Sequence, residues 1–316
     1  MRPFFIHPET RFFPFERRFG AMMSRVETFA SSLPRVAAFG LLVVLLAWES
    51  VAPFFAFYRQ RMAERVRHDA VNFVMGGLNA IFNATVATAL WLLVSDWAAG
   101  EGFGLLHWLA WPAGLELVVA VLCLDLWMYV WHRLCHVLPL LWRFHRVHHS
   151  DRRMDVSTAY RFHFGEMVAS ALARLPVIAL LGLTLGQLLA FEALMFSVVQ
   201  VQHANVAVPA SLDRCLRWFF VTPFMHKVHH SDRQPETDSN YCSLFSWWDR
   251  VFGTYRERAD PSAIRFGLPE VPIGESQALR SLLLNPFQAA ESNKEVASGG
   301  KTVEAGGSTT QANHLK

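Results

Sequence analysis

Apolar runs long enough to cross a bilayer commit a chain to membrane-spanning helices, because backbone groups in hydrocarbon must find their hydrogen-bond partners within the segment. This chain has several such runs. PRVAAFGLLVVLLAWESVAPFFAF at 34–57, a stretch at about 70–95 and another at about 105–131 are each long enough, at ~1.5 Å per residue, to traverse a core of about 30 Å. Residues 168–203 are again mostly apolar, broken near Gly182 and Gly186, and read as two spans joined by a tight turn. Of the 316 residues, 53% are hydrophobic, which exceeds the usual share of a soluble domain. The expectation is an all-α integral membrane bundle of four or five spans.

Charge and cysteine content exclude other classes. Lys and Arg total 29 against 26 acids, a net of +3, so no basic face for nucleic acid is implied. The four cysteines, Cys123, Cys135, Cys215 and Cys242, form no C-x-x-C pair, which argues against a disulfide framework and against a cysteine zinc site. They suggest a reducing compartment. The chain is expected to divide into an interfacial segment (1–33), N-terminal membrane helices (34–104), a further domain (105–290) and a tail (291–316) of Gly, Ser, Thr and Ala without apolar periodicity, expected to be disordered and free of chemistry. The aromatic and basic stretch RFFPFERRF at 11–19 suits headgroup depth.

Loop charges set the orientation. RQRMAERVR at 59–67 carries four arginines, whereas SDWAAGEGFG at 95–104 carries none, so the first loop is expected on the cytoplasmic side. By alternation the third span exits to that side at His132, and the apolar hairpin returns there near His203. The Arg-rich N-terminus would then lie outside, against the same rule, unless it rests on the membrane surface or the first apolar segment is a hairpin that does not cross.

Histidine is the other informative residue. Ten of the 14 lie within 132–230, and the phrase HRVHHSDR at 145–152 returns as HKVHHSDR at 226–233. His132 and His136 stand at i and i+4. His145, His148 and His149, like His226, His229 and His230, stand at i, i+3 and i+4, so each group projects from one side of a helix. Imidazole is the commonest ligand for borderline metals. Four ligands fill a tetrahedral zinc site, so eight point to two cations, and two irons with open positions use roughly this many. Metal-bound histidines commonly donate their second nitrogen to a carboxylate or carbonyl. Asp125 and Tyr129 continue the stripe of His132 and His136, and Glu192 lies eleven residues before His203, almost eclipsed with it on an α-helix, which marks these as supporting residues. An acid inside a span is a functional candidate by default. Glu49 and Glu116 have no evident partner in the sequence.

Together, DLWMYVWHRLCH, WRFHRVHHS, QHAN, HKVHH and NYCSLFSWWDRVFGTY, in that order, resemble the fatty acid hydroxylase and sterol desaturase superfamily, strongly over 115–256 and loosely upstream. The resemblance implies integral membrane oxygenases with a cytoplasmic helical cap carrying a histidine-rich di-iron centre. Carried over residue by residue, its ligands fall on His132, His136, His145, His148, His149, His226, His229 and His230, with His203 of QHAN as a ninth. Positions 199 and 207, where some members carry a further histidine, are Val199 and Ala207. His163 in RFHFGE resembles a family R-x-H-x-x-E segment and is assigned a supporting or helix-contact role, as is Asn205 of QHAN. Asn240, Tyr241, Trp248, Asp249 and Gly253 match the closing segment that packs under the site, with Asp249 expected to pair with an Arg or His.

Such a centre, with O2 as co-substrate, implies an oxidoreductase that hydroxylates or desaturates a C–H bond of a membrane lipid: sterol-like, fatty acyl, alkyl glycerol ether or carotenoid. The chain lacks a G-x-G-x-x-G fingerprint and a C-x-x-C-H motif, so electrons are expected from a separate ferredoxin- or cytochrome-type donor with its reductase. Arg214 and Arg217 are candidates for docking it, with topology determination as the plainer role. A bacterial inner membrane is the expected location. The alternatives are a non-catalytic lipid-binding relative and a metal-ion-binding membrane transporter.

Overall fold

The computed structural model describes residues 33–57, 61–109, 111–269, 271 and 277–288. Among these the elements are helical, and strand-like pairing is limited to isolated bridges such as Phe220 with Phe245. Helix α1 (Leu33–Val51) is followed by α2 (Met62–Phe82), which passes through a π-turn at Asn83–Ala87 into α3 (Thr88–Glu101). Next come α4 (Ala113–Val137), α5 (Pro139–His149), α6 (Phe164–Leu181), α7 (Leu185–His203) and the short α8 (Pro223–His229).

Four stretches are long and apolar enough to cross a membrane: Met62–Trp108, Ala113–Val137, Phe164–Leu181 and Leu185–His203. The apolar part of α1, Val36–Val51, is shorter. The chain is therefore an integral membrane protein, with four spans on this criterion. The expected start of the third span near 105 moves to Ala113, because Pro112 stands at the N-cap of α4 and Leu105–Trp108 makes its own turn. Residues 1–32 of the interfacial segment and the tail 291–316 lie outside the described residues.

Apolar side chains face outward as well as inward, as a lipid solvent demands. Leu78, Ile81, Leu93, Val118, Leu172 and Leu180 are exposed, while Trp91, Leu124, Ala171, Ile178, Leu188 and Phe191 make a core between the spans. The α6–α7 hairpin turns at Gly182, whose φ of 70° is left-handed and whose place a Cβ would fill at 2.9 Å from the Phe103 carbonyl oxygen. Thr184 then starts α7 with a capping box to Gln187. Gly186, read in the sequence as a second break, lies inside α7 because that capping box has already begun the helix.

Two prolines aim the histidines. Pro139 at the first turn of α5 holds Leu138 extended (φ −90°, ψ 118°), so α4 ends at Val137 and α5 sets off in a new direction. Pro223 does the same for α8, where the Thr222 side chain accepts the Met225 N–H.

Candidate metal centre

The nine histidines singled out in the sequence meet in two groups. His132, His136, His145, His149 and His229 form one, and His148, His203, His226 and His230 the other; within each, the ligand atoms lie within 4.8 Å of one another. The repeated phrase explains the division. On a helix, i and i+4 are about 40° apart, whereas i+3 and i+4 differ by about 100°. His145 and His149 accordingly enter the first group while His148 turns to the second, and His226 and His230 enter the second while His229 turns to the first. The two copies exchange one histidine each. The groups are contiguous: the rings of His149 and His230 stack at 4.5 Å.

Hydrogen bonding alone does not account for this packing. The closest contacts are nitrogen to nitrogen: His149 Nε2 to His145 Nε2 at 3.2 Å, His148 Nε2 to His203 Nε2 at 3.1 Å, and His203 Nε2 to His226 Nε2 at 3.0 Å. Buried ring nitrogens of His136, His148, His149, His226, His229 and His230 have no hydrogen-bond partner. An unsatisfied buried polar atom costs about 1–3 kcal/mol, so a histidine cluster of this size would be strongly disfavoured unless something else engages these atoms. Burial, reinforced by the neighbouring rings, holds His148, His149, His226 and His230 well below the ordinary imidazole range, and His229 down to about 3. Neutral imidazoles with free lone pairs are what a metal requires. The donor set therefore fits two cations.

Several second nitrogens are anchored. His132 Nδ1 meets the Tyr241 carbonyl at 2.8 Å, His145 Nδ1 the Glu166 carboxylate at 2.9 Å, His229 Nδ1 the Ser239 carbonyl at 2.7 Å, and His203 Nδ1 the Val199 carbonyl at 2.8 Å. His136 Nδ1 lies 3.3 Å from Asp238. Such contacts fix the tautomer and leave Nε2 for the metal. Phe162 stacks on His148 with centroids 4.2 Å apart.

The supporting residues expected from the sequence lie elsewhere than on the histidines. Asp125 accepts N–H groups from Leu244, Phe245 and the Trp248 ring, fastening the closing segment to α4. Tyr129 bonds Thr254. Asp249, expected to pair with an Arg or His, instead accepts the backbone N–H groups of Tyr241 and Cys242, and burial raises its carboxyl. It thereby holds the strip that presents the Tyr241 carbonyl to His132. Asn240 sits at a left-handed φ of 53° and ties Met225 to Arg256. Asn205 pairs with Phe55, and His163 caps α6 by accepting the Gly165 N–H. Glu192 is joined to Arg174, 2.5 Å away, rather than to His203. Glu49, unexplained in the sequence, accepts N–H groups from Val156 and Asn205 and faces Arg65. Arg217 is engaged by Asp213 and Glu257.

Sequence reasoning missed Glu166, although it closes the RFHFGE segment, and Asp238. It also missed His68, whose Nε2 lies 2.9 Å from Asp151 in a buried network with Asn72, Ser157, Thr158 and Arg161. Burial opposes the charge on Asp151, but His68 and Arg161 overcome it and hold the carboxyl well below the usual range.

A cavity of about 570 Å³ opens between the spans, and His132, His145, His148, His203 and His226 are among the residues that line it. An all-helical membrane protein with two adjoining histidine groups able to hold metal, beside a largely apolar cavity, is thus defined. The family model for fatty acid hydroxylase matches residues 117–254, which contain all nine histidines, and this stretch belongs to that family. Among curated proteins the chain is similar to an ornithine lipid hydroxylase OlsE of Rhizobium tropici, 33% identical over 159 residues (50% of this chain, 47% of that protein). An alkylglycerol monooxygenase of Danio rerio is 29% identical over 167 residues (52% and 35%), and a cholesterol 25-hydroxylase of Homo sapiens 26% identical over 172 (50% and 62%). The chain covers less than two thirds of the length of each. No solved structure matches significantly.

Proposed function

We propose that the protein is an O2-dependent di-iron oxidoreductase that hydroxylates or desaturates a C–H bond of a membrane lipid. The observation that carries this reading is the meeting of two histidine groups beside a cavity lined by the apolar spans. His132, His136, His145, His149 and His229 would hold one iron and His148, His203, His226 and His230 the other. The chemistry that bound iron supplies is reduction of O2 to an oxidant strong enough to take hydrogen from an unactivated C–H bond.

The protein's own residues do the rest. Glu166 and the carbonyls of Tyr241, Ser239 and Val199 keep a proton on Nδ1 of their histidines, so that Nε2 faces the metals. His132 and His145 from one group and His148, His203 and His226 from the other line the cavity, so a carbon held beside them would be the one oxidised. The apolar walls exclude water, and a lipid can enter from the bilayer without crossing it. We place the site on the cytoplasmic face of a bacterial inner membrane, supplied with electrons by a separate ferredoxin- or cytochrome-type donor. Lipid mass spectrometry of host membranes with and without the protein tests the reading. A species gaining one oxygen or losing two hydrogens is expected; an unchanged lipidome in a strain that also supplies iron and donor contradicts it.

A further inference from the structure

Arg174 and Glu192 line the same cavity as the histidines but belong to neither metal group. Both stand well inside the α6–α7 hairpin, eight residues past Glu166 and eleven before His203. At ~1.5 Å per residue that places them about 12–16 Å along the helix axes from the histidine end. Charged side chains at such depth are costly and mark functional positions. A purely structural pair would be satisfied by its own contacts. This one is not: Arg174 is 4% exposed, gives one nitrogen to Glu192 at 2.5 Å and another to the Met128 sulfur at 3.1 Å, lies 4.8 Å over the Trp91 ring, and leaves Nε without a partner. The Glu192 side chain keeps 27% of its surface open.

We infer that the Arg174–Glu192 pair is a recognition site for a neutral hydroxyl at the end of the lipid remote from the oxidised carbon. The inference rests on the lipid reading above and deepens it. The pair is already neutralised internally, so a ligand carboxylate would meet Glu192 with repulsion and a ligand ammonium would meet Arg174. A hydroxyl both donates and accepts. It can accept from the guanidinium and donate to the carboxylate without adding charge, whereas an unfunctionalised alkane would leave the buried donor unsatisfied. The spacing of the pair from the histidines then selects which carbon is oxidised.

Binding to the detergent-solubilised protein, measured by equilibrium dialysis with and without added iron, tests this independently of turnover. The probes are hexadecanol, hexadecane and hexadecanoic acid for a flexible body, and cholesterol against cholestane for a rigid polycyclic one. In at least one series the alcohol should bind about tenfold or more tightly than its alkane, the worth of one or two hydrogen bonds, and hexadecanoic acid should bind more weakly than hexadecanol. The series showing the larger ratio identifies the body. Arg174→Met should bring the ratio close to one. Glu192→Gln, which preserves volume, should reverse the preference towards hexadecanoic acid by freeing the guanidinium, a change that a merely structural pair would not produce. Equal binding of alcohol and alkane to the unaltered protein overturns the inference while leaving the lipid reading intact. So does a Glu192→Gln protein that elutes as the parent does yet keeps the alcohol preference. Failure of every probe to bind removes the lipid reading itself.

Discussion

The two histidine groups are built from the same phrase yet held differently. In the group of His132, His136, His145, His149 and His229, four of the five rings have Nδ1 against a carbonyl or carboxylate; in the group of His148, His203, His226 and His230, His203 alone does. The second group contributes three of its four members to the cavity wall, the first two of five. One side is mostly braced by protein, and the other supplies the larger share of its rings to the cavity wall. The braced group is therefore expected to define the metal positions and the open group to meet substrate.

Removing a ligand from either side should have the largest effect. His149→Ala and His230→Ala are each expected to abolish lipid oxidation with membrane insertion unchanged, read by product mass spectrometry and by membrane fractionation. If either variant stays fully active, the pairing of the two groups is wrong.

Bracing itself comes next. Glu166→Gln should lower metal affinity or activity by about 10–100-fold, the usual consequence of losing a carboxylate behind a metal-bound histidine. Asp238→Asn, whose carboxylate is 41% exposed and 3.3 Å from His136, should cost about fivefold at most. Metal titration of the purified variants ranks them, and a reversed order would show that burial does not set the strength of the brace.

A third contrast lies just beyond the histidines, where each copy continues Ser-Asp-Arg. Asp151 is buried among His68, Thr158 and the N–H of Arg153, whereas Asp232 is partly open and faces Arg265, itself 79% exposed. Asp151→Asn should destabilise the protein by about 3 kcal/mol and Asp232→Asn by less than about 1 kcal/mol. Thermal inactivation of the two variants reads the difference. Because folding favours the Asp151 carboxylate, its contribution is present above the ordinary carboxylate range and is lost only as pH falls below it, so the gap between the variants should persist at neutral pH and narrow in acid.

Local regularities made much of this legible. Helical spacing gave the faces of the three histidine groups, and apolar length gave the spans at 113–137, 164–181 and 185–203 to within several residues. The division into five and four was not readable, because spacing fixes directions within a helix but not the rotation of α5 against α8. The sequence points Glu192 and Asp125 to histidines and Asp249 to an Arg or His because an acid among apolar residues needs a partner, and it cannot say that Arg174 or a run of backbone N–H groups supplies it. Carbonyl braces such as Tyr241, Ser239 and Val199 carry no sequence signal, since every residue offers one. Glu166 did have a signal, three residues after His163 in the same segment.

Non-haem iron counted per chain on anaerobically purified protein tests the central claim most directly. About two irons are expected in the unaltered chain, falling towards one when His149 or His230 is replaced, each group holding its own cation. A single iron, or none, at saturating supply in the unaltered protein would contradict the account.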